Sequence, residues 1–225
     1  MKITEPMIQL FASAFGEPFS DFQMKKYMNE LSPEEQERIL QYKNPEDRQR
    51  TLLASKMTSA ILERYFDKKH PVQIKRDNMG RPYLCSEPAW GGDFNLSHSG
   101  AWILCAVANS GRVGIDVERI EPIDLSAAAY CFSDDECRRL FRQPAENQLH
   151  FFYERWTEKE ALAKTVGVGL LETITDLKAE PHSSHTVKWN VKHYCLDREY
   201  LACLVSTEGC CPEEIVFLAH RDIGL

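Results

Sequence analysis

Three short segments of this chain carry residue types suited to phosphate and metal chemistry. The first reads Val113-Gly114-Ile115-Asp116-Val117-Glu118. In a strand alternate residues share a face, so Asp116 and Glu118 point the same way, about 6–7 Å apart, while Ile115 and Val117 face the core. Two neighbouring carboxylates repel each other unless a positive charge sits between them. A hard divalent cation such as Mg2+ suits the pair, because it prefers oxygen ligands and binds one or two carboxylates together with substrate phosphates. A strand with its polar face in water gives the same pattern, and this segment alone leaves both readings open.

The second segment is Trp156-Thr157-Glu158-Lys159-Glu160-Ala161-Leu162-Ala163-Lys164. On a helix Glu160 and Lys164 are four apart and share a face, with Trp156 one turn earlier. An exposed ion pair accounts for that spacing; so does a third carboxylate beside a cation that meets a phosphate. Trp156 predicts partial burial of the face. The third segment, Asn95-Leu96-Ser97-His98-Ser99-Gly100, sets a histidine between two hydroxyls ahead of a glycine turn, several donors for an anion. Ser97 and His98 are neighbours in a strand and point to opposite faces, so they do not form a nucleophile and its base. His98 taken alone serves equally well as a turn residue. The chain has no Gly-x-Ser-x-Gly elbow and no Walker A lysine loop.

These segments need elements to hold them. Ser32-Pro33-Glu34-Glu35 reads as a capping box with proline at the first helical position, and Asn44-Pro45-Glu46-Asp47 opens a longer helix. In that helix Leu53, Met57, Ala60, Ile61 and Tyr65 form one buried stripe. Short β-prone runs follow at Val72–Ile74, Phe94–Leu96, Trp102–Val107 and Val113–Val117, with turns at Ser99-Gly100 and Asn109-Ser110-Gly111. Ser133 to Glu136 caps another helix. A strong helix spans about Glu146 to Thr165, ending near Gly167 and Gly169. Strands return at Val187–Tyr194, Tyr200–Val205 and Ile215–Leu218, and the first thirty residues read as one strand, then irregular structure or a short helix. Helices then strands, twice over, predict an α+β fold of two similar halves related by a pseudo-twofold. Each half is a small antiparallel sheet packed against a long helix, with the division between residues 1–112 and 113–225.

Charge narrows the function. The 225 residues hold 27 Lys/Arg and 34 Asp/Glu, a net charge of −7, which opposes nonspecific binding to nucleic acid. The stretch from Arg38 to Arg81 is the exception, with eleven basic against five acidic residues, so it suits a polyanion or a solvated helix face. No apolar run approaches the ~20 residues of a membrane helix, and Glu5 and Pro6 interrupt the place where a signal peptide would be apolar. Eight cysteines without a CxxC pair read as reduced thiols. A cytoplasmic monomer is expected.

Together and in this order, the segments resemble the surfactin-synthetase-activating type of 4′-phosphopantetheinyl transferase. That family's pattern is a Ser-His-Ser turn, Gly-(Ile/Val)-Asp-(Ile/Val)-Glu, then Trp-x-x-Lys-Glu-(Ala/Ser)-x-x-Lys ahead of Gly-x-Gly-Leu. Here these are Ser97-His98-Ser99, Gly114 to Glu118, Trp156 to Lys164, and Gly167-Val168-Gly169-Leu170. Asn78-Met79-Gly80-Arg81-Pro82-Tyr83 is similar to the family's Gly-(Lys/Arg)-Pro element, and Arg50-Thr51-Leu52-Leu53 to the start of its first long helix. The likeness runs from about Ser32 to the C-terminus. It implies transfer of the phosphopantetheine arm of coenzyme A to a serine of apo carrier domains, in peptide or polyketide synthetases and antibiotic biosynthesis, releasing adenosine 3′,5′-bisphosphate. It further implies that Asp116, Glu118 and Glu160 hold Mg2+ on the pyrophosphate, with Glu160 and Lys164 catalytic and Lys164 neutralising the pyrophosphate. Ser97, His98, Arg50 and the Gly80-Arg81 turn would meet the nucleotide, and Glu136 lies where the family often has a further carboxylate. The sequence departs from some relatives at Pro33 to Arg38, where Glu34, Glu35 and Glu37 stand in place of phosphate-binding lysines. Two rival readings use the same residues: a metal-dependent phosphohydrolase with water as nucleophile, and a binding module without chemistry.

Overall fold

A computed structural model, describing residues 7–64, 73–85, 90–167 and 189–225, shows helices starting at Ser32, Asn44 and Ser133, the capping residues that the sequence marks. Helix α1 (Asp21–Met28) is closed by a reciprocal Ser20/Gln23 box. Helix α2 (Pro33–Leu40) starts at Ser32, whose hydroxyl accepts the Glu35 N–H at 3.3 Å. Its box is half made, because the Glu35 carboxylate turns instead to Arg38, Arg76 and Ser55. Asn44 caps α3 (Pro45–Leu62), which buries Leu52, Leu53, Met57, Ile61 and Leu62. A single turn, α4 (Ala128–Cys131), precedes α5 (Asp134–Arg142), which carries the expected Ser133/Glu136 box. The longest helix, α6 (Ala145–Val166), stops at Gly167, whose φ of 80° is the left-handed cap that glycine adopts without a Cβ clash. Tyr65, Val72, Val168 to Leu170, and Val187 lie outside the described residues.

Three sheets follow. Strands β1 (Ile8–Ala14), β4 (Asp93–Ser99), β5 (Trp102–Ala108) and β9 (Ile215–Leu218) form one in the order β4-β5-β1-β9. Strands β6 (Val113–Arg119), β7 (Asn190–Asp197) and β8 (Tyr200–Ser206) form another in the order β6-β8-β7, antiparallel throughout. The short hairpin β2 (Gln73–Arg76) and β3 (Pro82–Cys85) stands apart. The two main sheets face each other across Leu10, Leu104, Ala106, Ile115, Val117 and Leu204. Helix α3 covers the outer face of the first sheet through Leu53, Met57 and Ile61 on Phe11 and Ile103. Helix α6 covers the second through Ala161 and Leu162 on Cys203 and Val205. The α+β class and its two sheet-and-helix halves are as expected.

Two details differ from the sequence reading. Strand β9 pairs with β1 in parallel, so the first sheet is mixed rather than antiparallel. The strand also comes from the far end of the chain: Leu218 and Ile223 pack in the α3 core although they follow the second sheet in sequence. A strand that arrives by a long crossover is not bound to the antiparallel sense that a tight hairpin imposes. The eight cysteines are free thiols, and no helix among the described residues is long and apolar enough to cross a membrane.

Candidate active site

Strands β4 and β6 are edges of different sheets, yet they lie side by side. Alternate residues of β4 are small and polar, and each accepts a backbone N–H of β6. Val113 donates to Asp93 Oδ2 at 2.9 Å, Ile115 to Asn95 Oδ1 at 3.0 Å, Val117 to Ser97 Oγ at 3.3 Å, and Arg119 to Ser99 Oγ at 3.1 Å. These side chains do what a neighbouring strand's carbonyls would do, so the exposed donors of an edge are satisfied and the two sheets are joined. The same hydroxyls then reach the acids. Ser97 donates to Asp116 Oδ1 at 2.8 Å, and Ser99 to Glu118 Oε2 at 2.9 Å.

Helix α6 crosses β6 at Gly114. A Cβ there would lie 2.1 Å from the Ala161 carbonyl oxygen and 2.4 Å from Thr165 Oγ1, so only glycine admits the helix this close. The approach carries Lys164 across to the strand. Its Nζ donates to Asp116 Oδ1 at 2.7 Å, to Ser97 Oγ at 3.1 Å and to the Ile115 carbonyl at 3.1 Å. Lys164 therefore bridges helix to strand, and the exposed helical ion pair is not what the structure shows. Asp116 is 4% exposed, and its second oxygen, Oδ2, is buried without a hydrogen-bond partner.

The charges here are crowded. Burial, then Asp116, and then Glu118 against the counter-pull of Lys164, push the Glu160 carboxyl up to about 7. Glu118 is raised by burial and by Asp116, although Ser99 and the Trp156 indole N–H, 3.4 Å away, stabilise its anion. Among the described residues no cluster closes around a cation as it stands. The donor set nevertheless fits Mg2+: carboxylates from a strand and a helix, one buried oxygen without a partner, and carboxyls whose charged form is disfavoured by burial and then by their own repulsion.

The other expected residues divide. His98 is exposed at the end of β4, and loss of part of its water shell, then the cations of Lys164 and Arg50, lower its pKa. Arg50 bonds the Gly100 carbonyl at 2.9 Å and pairs with Asp47 and Glu46, each at 2.8 Å. It lies near the histidine turn with donors already engaged. Gly80 sits at the hairpin turn, with its carbonyl bonded by Arg76 at 2.9 Å. The guanidinium of Arg81, expected on the nucleotide, turns inward to Asp93 and to the carbonyls of Val113 and Lys164. Glu136 closes its helix cap and pairs with buried Lys159 at 3.0 Å.

Two recesses open among the described residues, and only the second is lined by one of the acids. A groove of about 650 Å³ between α2, α3 and the β2–β3 hairpin is lined by Arg38, Ser55, Arg76, Tyr83 and Leu96. Leu96 and His98 share a face of β4, so the groove runs toward the histidine. An apolar hollow of about 580 Å³ opens beside Glu118, walled by Ile123, Tyr130, Phe152 and Trp156. Sequence reasoning missed the hollow and the β4 rungs. The period-two run Asp93, Asn95, Ser97, Ser99 was the available signal for the rungs.

Comparison with known proteins matches residues 112–215 to the 4′-phosphopantetheinyl transferase superfamily, and residues 17–110 to the 4′-phosphopantetheinyl transferase N-terminal family. The chain is 31% identical over 221 residues to the 4′-phosphopantetheinyl transferase psf-1 of Bacillus pumilus, covering 92% of this chain and 94% of that one. It is 26% identical over 226 residues to the 4′-phosphopantetheinyl transferase Sfp of Bacillus subtilis (strain 168), covering 96% and 100%. To the 4′-phosphopantetheinyl transferase gsp of Aneurinibacillus migulanus it is 30% identical over 158 residues, covering 70% and 65%.

Proposed function

The chain belongs to the 4′-phosphopantetheinyl transferase superfamily, and from that premise we propose that it moves the arm of coenzyme A onto a serine of apo carrier proteins, with Mg2+ as the metal. The observation that carries the reading is the Lys164–Asp116 contact of 2.7 Å beside an Asp116 oxygen without a partner. A cation from the helix and acids from both elements meet at one point, and phosphoryl transfer depends mainly on positioning and charge neutralisation.

The two recesses support the assignment of ends. The groove, where Glu35 holds Arg38 and Arg76 and Glu30 and Glu34 also line the wall, would take the nucleotide end, His98 would face the pyrophosphate, and the apolar hollow beside Glu118 would receive the arm and the carrier's docking face. Asp116, Glu118 and Glu160 would hold Mg2+, which when bound supplies charge neutralisation on the pyrophosphate. The carrier serine oxygen forms a bond to the phosphorus of the arm, and the bond from that phosphorus to adenosine 3′,5′-bisphosphate breaks. Glu160 lies in the same cluster and would accept the serine proton. Lys164 neutralises the leaving phosphate.

Mass spectrometry of an apo carrier incubated with the protein, coenzyme A and Mg2+ tests the reading. The expected result is a carrier heavier by one phosphopantetheine arm. Hydrolysed coenzyme A with an unmodified carrier would move the assignment to a phosphohydrolase.

A further inference from the structure

The last carbonyls of an α-helix have no partner within it. At the end of α6 two of them are met by arginines. Arg81 donates Nη1 to the carbonyl of Lys164, and Arg112 donates Nε to that of Thr165 at 3.3 Å. Cations suit this end of the helix dipole. Both arginines return to one carboxylate: Asp93 Oδ2 lies 2.6 Å from Arg81 Nη2 and 3.5 Å from Arg112 Nε. That oxygen also accepts the Val113 N–H at 2.9 Å, while Arg81 Nη2 donates to the Val113 carbonyl at 2.8 Å. The Arg81 side chain is only 8% exposed. One guanidinium thus ties the final turn of α6 to the first residue of β6.

We propose that Arg81, anchored by Asp93, is a positioning residue that fixes Lys164 of α6 against Asp116 of β6. The proposal rests on the transfer reaction set out above. Lys164 is the residue whose carbonyl Arg81 holds, and Asp116 lies three residues beyond Val113 on the same strand. Turning Arg81 out to a phosphate would leave Asp93 buried without that partner, the costly way to break such a pair. The inward geometry therefore assigns Arg81 to the spacing of the two elements and not to the nucleotide.

Steady-state kinetics of carrier modification by full-length Arg81→Ala and Arg81→Lys, alone and with Lys164→Ala, test this. Loss of the clamp lowers kcat by roughly 10- to 100-fold, the scale of a small misplacement of reacting groups, with KM for coenzyme A nearly unchanged. Arg81→Lys behaves like Arg81→Ala, because an ammonium does not span three acceptors. In the Lys164→Ala background, removing Arg81 costs nothing further, since it acts through that lysine. A raised KM that Arg81→Lys restores, or a full multiplicative loss in the double variant, overturns the proposal. Amide exchange without substrate provides an independent arm: Arg81→Ala speeds exchange at Lys164 to Gly167 by about tenfold or more while α3 is unchanged. Exchange unaltered at those amides also overturns it. A wild-type protein that modifies no carrier refutes the transfer reading, and the exchange arm then decides the clamp.

Discussion

Replacing Glu35 by glutamine removes the one anion that holds two arginines together on the wall of the polar groove. The carboxylate takes Arg38 at 2.7 Å, Arg76 at 3.0 Å and the Ser55 hydroxyl at 2.8 Å, with its side chain 16% exposed. These partners outweigh its burial and bring its pKa from 4.5 to about 2. A carboxyl lowered on folding adds stability that is complete above its unfolded value and is lost as pH falls through the folded one. At about 1.4 kcal/mol per unit, the shift corresponds to about 3 kcal/mol above pH 5. Roughly 2 kcal/mol of that disappears between pH 6 and pH 3. Urea unfolding of wild type and Glu35→Gln across that range measures the difference directly. It should be flat above pH 5 and shrink steadily below. A difference that stays constant down to pH 3 refutes the ion-pair account of this groove wall. The variant also frees two guanidiniums at the groove, so coenzyme A binding by calorimetry should hold or tighten while stability falls.

Lys164→Ala should reduce the transfer rate constant by about 10²–10³-fold, the scale of losing one transition-state donor, with coenzyme A affinity changed far less. Lys164→Arg restores part of the rate, and unchanged turnover in the alanine variant would return the lysine to a structural role. Asp116→Ala and Glu160→Ala should each abolish most transfer in a folded protein, and a chelator should stop the wild type until Mg2+ or Mn2+ is added; full activity in excess chelator sinks the metal assignment. Gly114→Ala should cost about 1–3 kcal/mol by overpacking and lower kcat by moving α6 off β6, which circular dichroism melts and carrier kinetics will read together.

Much of this was legible from local chemistry. Ser32, Asn44 and Ser133 marked helix starts because a side-chain oxygen at that point has a local backbone donor to satisfy. The alternation in Val113 to Glu118 put Ile115 and Val117 in the core and left the acids on the other face. What stayed hidden depends on partners distant in sequence. Glu35 leaves its cap for Arg76, 41 residues away, and Arg81 turns to a carbonyl 83 residues away. Strand β9 reaches β1 from the opposite end of the chain. Neither periodicity nor a motif at one position encodes which remote group arrives. The Lys164 contact lay between these cases. Its helical spacing suggested Glu160 as partner, and only the crossing at Gly114 selects Asp116.

The rungs between β4 and β6 have a bearing on turnover. A two-lobed enzyme often admits substrate by swinging its lobes apart, but here the lobes are stitched along the line where the acids sit. Opening that line would strand the Val113, Ile115, Val117 and Arg119 amides and strip Asp116 and Glu118 of their serine donors. The Val113, Ile115, Val117 and Ser97–Asp116 bonds are buried, and each such loss there costs about 1–3 kcal/mol. On the proposed reading, traffic passes over the two recesses, the groove taking the nucleotide and the hollow the carrier, with the seam shut throughout the cycle. Product departure would then depend on how tightly each recess grips its own fragment, and the two ends could be tuned separately without loosening the chemistry between them.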